Sequence, residues 1–478
     1  MNMYLNKDVI KDKILACWIG KNIGGTMGGP FECMTEMNDI KGFTTPKGEP
    51  LPNDDLDLQL VWLTAMEQHG PIAMSAAVLS DYWLSYITPH WNEYGTAKAN
   101  LRRGIMPPMC GELNNEAWKN SNGAWIRSEI WACMCPGVPG AAVKYAVMDA
   151  CIDHGISEGT YAEMFTAALE SMAFFENDIR KLIENALNFI PAECRVAKII
   201  KLVLEEYDKG TPWKTVREMV VDDNKDLGWF QAPGNLAFAV IGLMYGEGDF
   251  KKTMIYAINC GDDTDCTAAT CGALLGIMGG TQAIPEDWHE HIGNRIITCS
   301  VDGAYNIIPK TCDELTDRVM ELIPAVMKAN GVYTEYTNNE TVYDKDAAAK
   351  ILNDEVKQMI SVRPYSFEIR GIDTDAIVEF EKAPYISADE NNRFSVTLLN
   401  KTPDPKYYNV SLILPDGWYS DVTQNVYLPH NSAKTDGKCT FSIGIIADGN
   451  IKAANEVVVK LLCSTHPVPI FIPVTLLG

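Results

Sequence analysis

The sequence predicts an all-α domain followed by a smaller all-β sandwich. Up to about residue 330, apolar residues recur at spacings of three and four, as in EMFTAALESMAFF and RVAKIIKLVLEEY, and β-branched alternation is scarce. From about residue 364 the pattern becomes strand-like: AIVEFEK, RFSVTLLNK, NVSLILPDGW, CTFSIGII, NEVVVKLLCS and VPIFIPVTLL are short runs rich in Val, Ile and Phe, separated by turn signals such as PDG, DGN and NN. The length, 478 residues, exceeds what one hydrophobic core usually serves. Residues 1–330 therefore read as the helical domain, 331–363 as a linker carrying the helix DAAAKILNDEVKQMI, and 364–478 as the sandwich.

The first helical segment, KILACWIGKNIGGTMGGPFE, carries Gly20, Gly24 and Gly28 at a spacing of four, which puts them on one face. An interior Gly costs roughly 1 kcal/mol relative to Ala. Such a face calls for close approach by a neighbouring helix or a ligand. No strand precedes these glycines, so a dinucleotide-binding loop is the wrong reading. Glu32 follows in PFE, where the helix should end.

The next helix begins in PNDDLDLQLVWLTAMEQHG, with Pro52 and Asn53 at its start and Asp54 and Asp55 in its first turn. Acids and Asn satisfy free N–H groups and the dipole at a helix start, so capping alone accounts for this segment. NCGDDTDCTAATCGALLGIMGG strains that account. Asp262, Asp263 and Asp265 stand within four residues, where one acceptor suffices. Like charges so close raise one another's pKa unless a cation neutralises them. Surplus carboxylates are what a hard cation at a helix N-terminus requires. Gly272, Gly276 and Gly280 again clear one face.

Taken in order, these segments resemble the ADP-ribosylglycohydrolase family over roughly residues 10–290. The glycine-rich helix ending in Glu32 matches its first motif, and Asn53, Asp54 and Asp55 match its Thr-Asp-Asp. SNGAWIR, with Asn122, Gly123 and Arg127, matches its Asn-Gly…Arg; Asp263, Thr264 and Asp265 with GALLGIMGG match its closing Gly-Asp-Thr-Asp-Thr and Gly-rich helix. The resemblance implies an all-helical domain in which Asn53, Asp54, Asp55, Asp263, Asp265 and Cys266 hold one or two magnesium ions, with manganese as an alternative. It implies a metal-dependent hydrolase of an N- or O-glycosidic bond to ribose, ADP-ribose or a ribose-like furanose, with Glu32 or Asp55 as the base. Asn122, Gly123 and Arg127 are implied to bind substrate, and Trp125 is placed to stack on a base.

The departures bear on the substrate. Asn53 and Leu56 replace threonines, Gly25 and Asp262 replace an Asp and a Gly, and Cys266 stands where Thr or Ser often completes the metal shell. A neutral thiol is a poor magnesium ligand, and Asp57 or Asp262 is a candidate to compensate. Cys266 and Leu56 favour a second reading, a catalytically weakened member that binds a ribosyl ligand or a protein. A carbohydrate glycosidase is a third, since NVSLILPDGWYS resembles β-sandwich domains attached to glycoside hydrolases. The segments PNDDLDLQ, SNGAWIR and CGDDTDC contain one arginine, Arg127, and no lysine. A pyrophosphate usually wants several donors, so a small soluble glycoside is expected rather than an ADP-ribosylated protein. His154, in ACIDHG, ends a helix where a His suits the dipole and reads as structural.

The formal net charge of -23 repels phosphate backbones and anionic lipid, which argues against nucleic-acid and membrane partners. The 14 cysteines are scattered without a CxxC pair, as in a reduced intracellular protein. MNMYLNKDVIKDK has no apolar signal segment, and no run reaches the roughly 18 apolar residues of a membrane span. A cytoplasmic protein is expected.

Overall fold

The computed structural model describes residues 1–301, 308–388, 390–422, 425–432 and 434–478. Helices dominate from Lys7 to Ala329, and antiparallel strands from Ser366 onward. By internal contacts the chain divides into two compact units. One is Met1–Tyr94 with Glu116–Ser361; the other is Gly95–Asn115 with Val362–Gly478. Among the described residues no helix is long and apolar enough to cross a membrane.

Helix α1 (Lys7–Gly28) starts with Asn6, whose side chain accepts from the Val9 N–H, and 15 of its 22 residues are buried. Its glycine face meets the helix Thr264–Gly279, so the approaching partner is a helix. A Cβ on Gly20 would stand 2.1 Å from the Gly272 carbonyl oxygen, one on Gly24 2.3 Å from the Ala268 backbone, and one on Gly28 2.3 Å from the Thr264 carbonyl. The contact is reciprocal: Gly272 lies against Gly20 and Gly276 against Ala16. Two backbones this close leave no room for a methyl group, and overpacking typically costs 1–3 kcal/mol. The interlock also fixes function's geometry. It brings the C-terminal end of α1, with Glu32 just beyond, to the start of the helix that carries Asp265.

Strands Asn2–Asn6 and Tyr333–Thr337 pair in parallel, closing the two ends of the helical unit on each other. In the second unit, one sheet runs Ser366–Ile369, Thr374–Phe380, Asn391–Asn400, Lys438–Ile446, Tyr419–Val422. The other runs Ile470–Leu477, Ala454–Cys463, Lys406–Ile413, Asn425–Leu428. Burial alternates along the strands, as a half-buried strand requires. Val378, Val396 and Phe441 align across three strands of the first sheet and are buried, as are Val459 and Ile472 in the second.

Candidate metal centre

Helix α2 (Asp54–Ala73) is preceded by Asn53 in the N-cap position, and the helix Thr264–Gly279 by Asp263. Neither N-cap side chain makes a capping hydrogen bond. Capping therefore does not account for Asn53 or Asp263, the residues in the two N-cap positions. Ligand-capable atoms of Asp55, Asp265 and Cys266 lie within 4.8 Å of one another, and so do those of Glu32, Asp263 and Asp265. Asp265 belongs to both groups. The turn after α1 is tied to the same place: the Cys33 N–H donates to the Asp262 carbonyl (3.1 Å) and the Asp262 N–H to the Met34 carbonyl (2.8 Å).

The electrostatics of the cluster are those of carboxylates short of counter-charge. Burial, then the charge of Asp265, pushes Asp54 up to about 6. Burial pushes Asp55 well above the carboxylate range despite Lys21 nearby, and it pushes Asp263 up likewise, reinforced by Asp265. Glu32 is exposed as a residue, yet partial desolvation of its carboxyl, then Asp265 and Asp54, push it up to about 7. Both side-chain polar atoms of Asn53, Oδ2 of Asp55 and Oδ1 of Asp265 are buried without a hydrogen-bond partner. Buried polar atoms are normally satisfied. Orphaned hard oxygens among like charges fit a divalent cation such as magnesium. Gly25 and Asn53, two departures from the family pattern, explain each other: a Cβ on Gly25 would lie 2.4 Å from the Asn53 amide nitrogen.

Other sequence-selected residues take different roles. Cys266 Sγ is 3.2 Å from Asp55 Oδ1, placed to donate its proton, and its pKa is far above the thiol range through burial and then Asp263. Its sulfur is placed to donate to Asp55 and remains one of the ligand-capable atoms of the first group. The Asp262 carboxylate accepts from the Phe230 N–H and from Asn235 (2.7 Å), and Asp262 is in neither ligand-capable group. Asp57 accepts from the Cys299 and Ser300 N–H groups (2.7 and 2.5 Å).

The four residues expected to touch substrate form the wall behind the cluster. Asn122 donates to Asp263 Oδ2 (2.6 Å) and accepts from the Trp125 indole N–H (3.0 Å). Trp125 and Arg127 are both 0% exposed. Arg127 spends its donors on Asp149, Asp153 and the Gly123 carbonyl. Both side chains tie down the loop that holds Asn122. Gly123 is required there, since a Cβ would lie 2.2 Å from Glu93 Oε1.

Sequence reasoning missed the layer beneath. Lys21 donates to Glu129 (2.8 Å) and to the Ile126 carbonyl (2.7 Å), and Gln59 donates to Glu129 (2.8 Å) and the Asp55 carbonyl (2.9 Å). Burial alone would lower the Lys21 pKa, but Glu129 and Asp55 reverse the sign and keep it protonated. The only signal in the sequence is a Lys amid a glycine-faced apolar helix.

A family model described as ADP-ribosylglycohydrolase matches residues 6–326. ADP-ribosylhydrolase ARH3 of Mus musculus is 21% identical over 226 residues, covering 41% of this chain and 61% of that protein. ARH3 of Gallus gallus is 20% identical over 323 residues, covering 57% of this chain and 87% of that one. A solved structure described as an ADP-ribosylglycohydrolase-related protein complex superposes with a TM-score of 0.47 at 20% identity, covering 67% of this chain and 100% of that one. The chain thus spans only about 61% of the mouse relative's length. With the family model covering 6–326 of its 478 residues, the chain belongs to the ADP-ribosylglycohydrolase family.

Proposed function

We propose that the chain is a divalent-metal-dependent hydrolase that cleaves a glycosidic bond to ribose or a ribose-like furanose. One observation carries the reading. Ligand-capable atoms of Asp55, Asp265 and Cys266, and of Glu32, Asp263 and Asp265, lie within 4.8 Å of one another, and Oδ2 of Asp55 and Oδ1 of Asp265 are buried without a partner. Asn53, Asp54, Asp55, Asp263 and Asp265 would hold one or two magnesium ions. A bound cation supplies Lewis acidity, polarising a substrate oxygen and acidifying a water. Asn122 fixes the Asp263 carboxylate, and Cys266 the Asp55 carboxylate. Of the two candidate bases, Asp55 is 0% exposed while Glu32 is open to solvent. Glu32 is therefore the carboxylate that takes the proton of the attacking water, and its pKa near 7 suits that work.

The substrate is a small glycoside rather than an ADP-ribosylated protein. Arg127, the one arginine in the segments around the cluster, is buried and paired, which leaves no guanidinium from them for a pyrophosphate. The relatives named as ADP-ribosylhydrolases point the other way, so the test is a direct competition. Purified protein with magnesium or manganese is offered an ADP-ribosylated protein, ADP-ribose derivatives and a panel of ribosides and other furanosides. Turnover of the small glycosides is expected. Release of ADP-ribose from protein with no turnover of the panel contradicts the substrate assignment, and no turnover of anything contradicts the hydrolase reading.

A further inference from the structure

A second acidic cluster lies behind the Asn122–Gly123 loop, and it contains an imidazole. Ligand-capable atoms of Glu93, Asp153 and His154 lie within 4.8 Å of one another, and all three residues are buried. His154 Nδ1 is 2.9 Å from the Lys119 carbonyl oxygen. A carbonyl only accepts, so Nδ1 carries the proton and Nε2 keeps its lone pair. That Nε2 is buried and has no hydrogen-bond partner, and neither does Glu93 Oε2. Acceptors that face one another in a dry interior repel unless a proton or a cation lies between them.

We infer that Glu93, Asp153 and His154 bind a divalent transition-metal ion, zinc by their chemistry, at a structural site separate from the carboxylate centre. The donor set, one imidazole nitrogen and two carboxylates, suits zinc. His154 Nε2 and Asp153 Oδ2 are 3.5 Å apart. Two ligands bound tetrahedrally at zinc's usual bond lengths stand roughly 3.4 Å apart. The Nδ1–H to carbonyl bond is the orienting partner that metal-bound histidines generally have. Charge points the same way. Glu93, Asp149, Asp153 and Glu163 are all buried; Arg127 pairs with Asp149 and Asp153, and Glu93 Oε2 and both Glu163 carboxylate oxygens have no hydrogen-bond partner. Glu93 abuts Gly123, so an ion held by Glu93 braces the loop that carries Asn122.

The test uses the full chain, stripped by chelation and titrated with zinc chloride, with binding read by metal analysis and the ligand shell by zinc K-edge X-ray absorption. The background is Asp263→Asn, which weakens the carboxylate centre. The expected result is one zinc per chain retained through dialysis, with one imidazole nitrogen in its shell, and an affinity lowered about tenfold or more by Glu93→Gln. Absence of retained zinc, or a shell without nitrogen, overturns the inference and leaves a proton shared by Glu93 and His154. An affinity unmoved by Glu93→Gln overturns it too. If a variant fails to fold, the wild-type chain decides, because neither group at the carboxylate centre includes a histidine. Dialysis-stable zinc with an imidazole ligand supports the site, and zinc bound through oxygen or sulfur alone overturns it. Magnesium binding at the carboxylate centre is measured separately, so its outcome is distinguishable from this one.

Discussion

Two buried acid-rich regions sit on either side of one loop, and they differ in how their charge is met. Behind the loop, Arg127 grips Asp149 through Nε and Asp153 through Nη1 and Nη2. In front, Asp54, Asp55, Asp263 and Asp265 gather at two helix starts, and Lys21, the nearby ammonium, is paired to Glu129 beneath them. Similar residue types are thus gripped by a guanidinium in one place, which still leaves oxygens of Glu93 and Glu163 unpartnered, and lack a direct cationic partner in the other. Carboxylates in number do not by themselves mark a site. Carboxylate oxygens left without partners do.

The largest expected effect breaks the front region alone. Asp263→Asn should lose turnover by several orders of magnitude while circular dichroism stays unchanged, because a ligand charge is removed and the fold is not. In the absence of metal it should melt at a higher temperature than the parent, since carboxylate repulsion is relieved. Near-parental turnover would remove Asp263 from the centre.

Arg127→Met should do the reverse. Removing one partner of a buried ion pair leaves unpaired charge, which typically costs about 3–5 kcal/mol. Urea unfolding should show that loss, and a cost near zero would mean the rear carboxylates are compensated by something else. Asn122→Ala joins the two regions. It frees Asp263 and the Trp125 indole, and loss of an outer-shell partner typically costs 10–100-fold in activity or metal affinity. A fall in kcat with metal affinity lowered is expected, and unchanged values for both would show that the hydrogen bond is incidental.

The smallest effect is a pH dependence. Asp54 and Glu32 have folded-state pKa values near 6 and 7, raised by burial and then by their acidic neighbours. The folded metal-free chain therefore binds more protons than the unfolded chain between about pH 4 and 7, and its stability falls as pH rises through that window. The melting temperature of metal-free protein should drop from pH 5 to pH 8, and magnesium should flatten the curve. A metal-free melting temperature that rises over that range contradicts the assignment.

Much of this was legible in the sequence because it follows from periodicity and spacing. The helical and strand-rich regions announced themselves through apolar periods, and the glycines at intervals of four correctly called for a close neighbour. The acids at the helix starts were visible, but capping and ligation look alike in sequence, and only side-chain direction separates them. Arg127 shows the opposite limit. Its motif drew attention, yet its partners Asp149 and Asp153 lie one turn apart in a helix that reads as ordinary core. Lys21, Gln59 and Glu129 were invisible for the same reason, since buried polar groups are defined by contacts distant in sequence. Nothing in the periodicity indicated that Gly95–Asn115 groups with the strand-rich unit.

We place a divalent-metal centre at the acids of the two helix starts. Manganese binding to the full-length protein, followed by electron paramagnetic resonance of the free ion, tests it most directly. One or two ions per chain are expected, displaced by magnesium and lost in Asp263→Asn. A folded wild-type chain that binds no manganese at millimolar concentration, or binds it equally well after that substitution, would contradict it.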